Sequence, residues 1–76
     1  MSENRSSSSS LAGVSLAPAV RDVLRGAALG ESIAETAARR VTSPFTVKTQ
    51  RRQAIRELGA RTLTHAVAIG KDRGEL

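Results

Sequence analysis

Lys48, Arg51, Arg52 and Arg56, interleaved with or preceded by Ser43, Thr46 and Thr49, bring cations and hydroxyls together in one short stretch. Those are the side chains that grip phosphate oxygens and reach base edges in a nucleic acid groove. The stretch lies inside a longer basic segment. From Arg39 to Arg61 the chain holds Arg39, Arg40, Lys48, Arg51, Arg52, Arg56 and Arg61 against the single acid Glu57, a local charge of +6. The whole chain of 76 residues carries +5, so everything outside this segment amounts to −1. A charge so concentrated is a footprint for a polyanion: nucleic acid first, then an anionic membrane surface or an acidic protein. The bland alternative is a solvated basic face that only aids solubility.

Other chemistries find little in this chain. Cysteine is absent and His65 is the only histidine, so thiolate zinc sites, iron–sulfur clusters and disulfides are excluded. No nucleophile–base pair, carboxylate cluster or phosphate-cradling glycine loop is evident. The expectation is a protein that is not an enzyme and uses neither metal nor cofactor.

A chain of this length supports one small domain. Phe45 is its only aromatic residue, so the core must be aliphatic, built from Leu, Ile, Val and many alanines, which suits closely packed helices. Met1 to Ser10, with five consecutive serines, cannot bury enough surface to offset its ordering entropy and is predicted to be a disordered tail, an inert leader in preference to a phosphorylatable one. The domain then covers residues 11–76. Leu11 to Val20, with Ala17 and Ala19 as a small-residue pair, is a weak match to a signal peptide, interrupted by Gly13, Ser15 and Pro18. No apolar run reaches the length of a membrane span, and intracellular residence is expected.

Periodicity predicts four helices and no sheet. Val20, Val23, Leu24, Ala27 and Ala28 recur at helical spacing over Pro18 to Leu29, with Pro18 suited to the first turn and Gly30 to the stop. Ser32 three residues before Glu35 is a capping box opening a second helix, with Ile33, Ala34, Ala37 and Val41 as its inner face. Ser43 and Pro44 cap and open a third helix running to Gly59, with Val47, Ala54 and Leu58 inward. A last helix from Thr62 to about Gly70 carries Leu63, Ala66, Val67 and Ile69.

Two short helices joined by a tight turn, the second basic and opened by hydroxyl residues, fit the description of a helix-turn-helix, whose second helix enters the major groove. On that helix Lys48 and Arg52 lie four apart on one face, long enough to reach bases, while Arg51 and Arg56 point toward flanking phosphates. An amphipathic basic helix is equally compatible with a membrane surface, an acidic protein groove or RNA.

The order and spacing of further residues narrow the choice. Leu16-Ala17-Pro18, Arg21-Asp22-Val23-Leu24, Gly30, Ser32, Glu35, Ala37, Ser43, Thr46-Val47-Lys48-Thr49, Leu58-Gly59 and Ala66-Val67 together resemble, without a gap, the LuxR-type (GerE-like) helix-turn-helix family. The resemblance covers Leu16 to about Ile69. It implies a compact four-helix domain that binds operator DNA as a dimer, commonly through the last helix, here Leu63, Ala66 and Val67. It implies that Lys48, Thr49 and Arg52 face base edges and that Ser43, Thr46, Gln50 and Arg51 lie near phosphates; Arg56 joins them on helical position. The alternative for Leu63, Ala66 and Val67 is closure of the monomer core, and His65 is expected to be solvated or at an interface edge.

The chain also departs from the family. Gln50 stands where histidine is usual, and Ala19 and Val20 replace a usual Arg-Glu pair. The gapless register sets Thr36 and Arg40 where the family has Ile and Leu, and Val41 where a turn glycine is common. Either the core is thinner there and the Arg40 stem lies along its edge with the guanidinium in water, or helix two is shifted, with Ile33, Ala37 and Val41 inward and a longer turn. The shift is preferred, because burying an unpaired arginine is costly and a valine with positive φ is a steric outlier.

The function expected on these grounds is sequence-specific binding of double-stranded DNA by a small stand-alone transcription regulator, cytoplasmic and nucleoid-associated in a bacterium. Its partners would be a second copy of itself and, as a further option, RNA polymerase or another regulator. The alternative is an interaction adaptor whose basic helix docks on an acidic protein. A sigma region-four-like domain shares the Ser-x-x-Thr-Val-Lys pattern, but Leu58-Gly59 and a further apolar helix favour the LuxR type.

Overall fold

The computed structural model describes residues 15–76. The serine-rich segment expected to be a tail lies outside the described residues, as does the expected domain start at Leu11. Among the described residues the fold is all-helical, with α1 Pro18–Ala28, α2 Ile33–Arg40, α3 Pro44–Glu57 and α4 Leu63–Asp72, and no strand. None of these helices is long and apolar enough to cross a membrane.

Three of the four starts are fixed by side-chain caps at the residues the sequence singles out. Ser32 and Glu35 form the reciprocal box, with Ser32 Oγ accepting from Glu35 N at 3.0 Å and Glu35 Oε1 from Ser32 N at 2.8 Å. Ser43 Oγ accepts from Thr46 N and Thr62 Oγ1 from His65 N, both at 3.0 Å. Each cap satisfies a backbone donor that the helix start leaves free. α1 has no side-chain cap and opens instead with Pro18, whose fixed φ and missing N–H suit a first turn.

Helix α3 lies at the centre, packed against α1, α2 and α4, while α4 also packs on α1. The core is aliphatic, as the composition requires. Leu16, Val20, Leu24, Ala54, Leu58 and Ala66 form one buried cluster, and Val23, Ala37 and Val47 a second with Ile33 beside it. Phe45 stays on the surface.

The end of α2 corrects the expected shift. Val41 does not join the core: it is 91 % exposed with φ 53°, and Ala34 is exposed as well. Thr36 is fully buried instead. Val41 N donates to Ala38 O at 3.2 Å and Thr42 N to Ala37 O at 2.9 Å, the paired bonds of a Schellman ending. The same pair of bonds closes α1, α3 and α4, in each case with a glycine at positive φ. Val41 therefore occupies a glycine's place, and its left-handed backbone is tolerated because two carbonyls at the helix end gain donors.

That placement makes a prediction. The left-handed conformation costs an L-residue about 1 to 2 kcal/mol, and an exposed valine returns little packing, while glycine costs about 0.5 to 1 kcal/mol through the unfolded chain. Val41→Gly is expected to raise stability by about 0.5 to 1 kcal/mol, seen as a thermal midpoint higher by several degrees. A lower midpoint would show that the valine makes contacts that outweigh its strain.

The last helix also runs past its expected stop. Gly70 is buried inside α4, where a Cβ would lie 3.2 Å from Leu24 Cδ2 and 3.3 Å from Leu76 Cδ1. Gly70 permits close approach of α4 to α1, and Gly74, at φ 73°, makes the turn that ends the helix. Beyond it Glu75 returns to α1, its Oε1 accepting from Arg21 Nε at 3.1 Å.

Candidate nucleic-acid interface

Successive residues of an α-helix are rotated by about 100°, which places Lys48, Thr49, Arg52 and Arg56 on one stripe of α3 and Val47 and Ala54 on the opposite one. Burial follows that division: the first four are exposed, while Val47 and Ala54 have no exposed surface. Among the described residues Lys48, Arg52 and Arg56 have no ion-pair partner. Three cations thus stand on the outer face of a helix whose inner face is anchored on three sides.

The hydroxyls at the start of α3 are arranged for donation. Ser43 Oγ and Thr46 Oγ1 lie 2.9 Å apart, and Ser43 Oγ already accepts from Thr46 N. One of the two hydroxyl hydrogens bridges the pair, and the other remains to be donated outward. Thr49 is exposed one turn further along.

Two residues expected near phosphates are turned toward the protein. Arg51 Nη2 donates to Glu31 O at 2.9 Å, and Arg51 Nε is buried without a partner. Gln50 is half-buried, and its Oε1 is buried and unpartnered. Both lie well off the outer stripe, so helical rotation directs them back onto α3's neighbours. Arg51 acts as a tie between α3 and the α1–α2 turn. Arg56, expected to flank the stripe, falls on it in line with Arg52.

The basic segment is also partly neutralised from within. Arg39 Nη1 pairs with Asp22 Oδ2 at 3.0 Å and Arg39 Nε with Glu31 Oε2 at 2.9 Å. Arg40 pairs with the same Asp22 carboxylate, so its guanidinium is partnered rather than simply hydrated. Glu31 Oε1 also accepts from the buried Thr36 hydroxyl at 2.7 Å. Gly26 permits this arrangement, because a Cβ there would come within 2.3 Å of Glu31 Oε1. The cluster fastens α2 to α1 and thereby sets the frame in which α3 sits. Asp22, Glu31 and Gly26 were not among the sequence-predicted site residues. The visible signal was the acid-bearing stretch Asp22 to Glu35 just before Arg39 and Arg40, a local charge complement rather than a periodic pattern.

Burial pushes the Asp22 carboxyl up, but hydrogen bonds from Arg40 and Arg39 outweigh it and hold the group below its ordinary value. Glu31 is held low by hydrogen bonds from Arg39 and Thr36, and Arg39 is shifted upward by the same two carboxylates. A carboxyl whose folded-state pKa is lowered stabilises the fold above its unfolded value, and that stability disappears as pH falls through the folded one. Unfolded values are about 3.9 for Asp and about 4.3 for Glu. The thermal midpoint is therefore expected to hold between about pH 7 and pH 5 and to fall below about pH 4. Asp22→Asn with Glu31→Gln should start lower at neutral pH and show a shallower acid decline; an unchanged acid profile would mean that these pairs contribute nothing to stability.

On α4, Ala66 has no exposed surface and belongs to the monomer's own core. Its expected place in a dimer interface is corrected accordingly, since a buried methyl has no surface to offer a partner. Leu63 and Val67 pack against the same core but keep part of their surface exposed. His65 is exposed, its Nδ1 accepting from Arg61 N at 3.2 Å.

Compared with protein-family models, with curated proteins and with solved structures, the chain matches none.

Proposed function

We propose that α2, the turn at Val41 to Ser43 and α3 act as a helix-turn-helix, with α3 in the major groove of duplex DNA and α2 across the adjacent backbone, and that the protein is a sequence-specific transcription regulator. The observation that carries this reading is the outer stripe of α3, where Lys48, Thr49, Arg52 and Arg56 are exposed while Arg39 and Arg40 are engaged with acids. In this reading Lys48, Thr49 and Arg52 reach base edges. Arginine's planar fork suits guanine O6 and N7 together, a contact worth about 1 to 3 kcal/mol of discrimination. Arg56 and the Ser43–Thr46 hydroxyl pair take phosphates, aided by the positive end of the helix dipole.

A LuxR-type assignment is part of the proposal. The gapless register that suggests it sets Val41 opposite a turn glycine and Thr36 opposite a core residue. Val41 does have a glycine-like φ of 53° and Thr36 is fully buried, which supports that register over the shifted one. Dimerisation on DNA would use the exposed parts of Leu63 and Val67 on α4, giving half-sites about 34 to 36 Å apart.

Titration of a fluorescent mixed-sequence duplex at several salt concentrations tests the proposal. Each phosphate neutralised by a cation contributes about 0.9 to the slope of log affinity against log salt, so the Arg56 contact sets a slope of at least about 0.9. Selection of bound sites from a random duplex pool should then return a preferred sequence, as an inverted repeat if the protein binds as a two-fold dimer. Absence of duplex affinity at low salt would sink the reading and favour docking of the same stripe on an acidic protein.

A further inference from the structure

Phe45 is the only aromatic residue in the chain, and it is 74 % exposed. It does not serve the core, and water is an unfavourable surrounding for so large an apolar group. Its place on α3 is specific. Counting back from the outer stripe, Phe45 precedes Lys48 by three residues, Thr49 by four and Arg52 by seven, the spacing of side chains that share one helix face. Phe45 is therefore the first member of the row formed by Lys48, Thr49, Arg52 and Arg56, opposite Val47 and Ala54.

Its position along the helix matters as well. Phe45 lies in the first turn, immediately after Pro44, and the N-terminal residues of a groove-entering helix come closest to the base edges. A phenyl ring is shorter than a lysine or arginine side chain and needs that proximity. What an apolar group finds on the floor of a major groove is the C5-methyl of thymine, the one apolar mark in the pattern of donors and acceptors. The cations following on the same stripe make a polyanion a better complement for this face than an apolar protein groove.

We propose that Phe45 is a specificity residue that contacts the 5-methyl group of a thymine at one end of the site read by α3. The inference rests on the proposed DNA-binding function and extends it to a base and an atom. Seven residues of helix rise by about 10 Å, which corresponds to roughly three base steps of about 3.4 Å. The thymine accordingly lies about three base pairs from the pair whose preference depends on Arg52.

The test uses the full chain and a duplex enriched by selection from a random pool. Each thymine is replaced in turn by deoxyuridine, which removes only the methyl group, and affinity is measured for the unaltered protein and for Phe45→Ala. The expected result is a loss of about fourfold at one thymine for the unaltered protein, the ratio equivalent to about 0.8 kcal/mol for one buried methyl group, with no loss at that position for Phe45→Ala. Because Phe45 is exposed, the variant should retain its melting curve, which circular dichroism checks. Equal losses for both proteins, no sensitive thymine in the unaltered protein, or a selected site without thymine at that end would overturn the assignment while leaving DNA binding intact. Failure to bind any duplex would instead overturn the function on which it rests.

Discussion

Replacing Lys48, Arg52 and Arg56 together by alanine is expected to reduce duplex affinity by at least about 100-fold at moderate salt and to lower the salt slope by at least about 0.9, with the melting curve unmoved. The two halves of that expectation have separate causes. Loss of binding follows from the removal of the Arg56 phosphate contact, which releases a counterion, together with the base contacts assigned to Lys48 and Arg52. Constancy of the fold follows from their surroundings: all three are exposed and, among the described residues, none forms an ion pair. Exposed substitutions of this kind usually change stability by no more than about 0.5 kcal/mol each.

Arg51→Ala provides the contrasting measurement. Arg51 follows the same basic sequence pattern, yet its guanidinium holds the Glu31 carbonyl at 2.9 Å. Its removal leaves a partly buried carbonyl without its donor, a loss of about 1 to 3 kcal/mol, and should lower the melting temperature with little change in salt slope. If the triple variant kept its slope, or if Arg51→Ala cut the slope as much as Arg56→Ala, the division of α3 into an outward stripe and an inward tie would be wrong.

The contrast shows which parts of the molecule could be read from residue types. Ser32, Ser43 and Thr62 announce helix starts because capping is local: a hydroxyl and a backbone N–H three residues on settle it. Val47, Ala54 and Leu58 announce the inner face of α3 because burial follows rotation about a single axis. The end of α2 obeys neither rule. Thr36 is buried because its hydroxyl meets Glu31, and Glu31 reaches that point because Gly26 has no side chain. Arg40 tolerates the core edge because Asp22 comes from α1 to meet it. These are arrangements of residues distant in the chain, invisible to periodicity, and the steric rule against a left-handed valine pointed the other way. Gly70 is a comparable case, since glycine near a helix end suggests a stop, whereas here it allows close approach between helices. Arg51 and Gln50 could have been set apart from the basic stripe by rotation alone, as both lie more than a quarter turn from the mean direction of Lys48, Thr49, Arg52 and Arg56.

Leu24→Ala is expected to bring the isolated protein close to unfolding at physiological temperature. Leu24 is completely buried in the cluster that joins α1, α3 and α4, among Leu16, Val20, Ala54, Leu58 and Ala66, with the backbone of Gly70 beside its Cδ2. Leucine-to-alanine changes cost about 2 to 5 kcal/mol depending on how far the surroundings collapse into the gap. Here collapse is limited: Ala54, Ala66 and Gly70 have no long side chain to swing inward, so the effect should lie in the upper part of that range. A single core of this size supplies about 3 to 5 kcal/mol in all, and each kcal/mol shifts the midpoint by about 4 to 8 °C. The midpoint should therefore fall by at least about 15 °C, measured by circular dichroism. Leu24→Met, which conserves volume, should cost less than about 1.5 kcal/mol. Under the proposed function, excess duplex should restore helical signal to Leu24→Ala, because a ligand that binds only the folded state stabilises it by mass action. The triple variant on α3 combined with Leu24→Ala should not be rescued. Rescue of both by the same duplex would show that DNA stabilises this fold through some surface other than the outer stripe of α3.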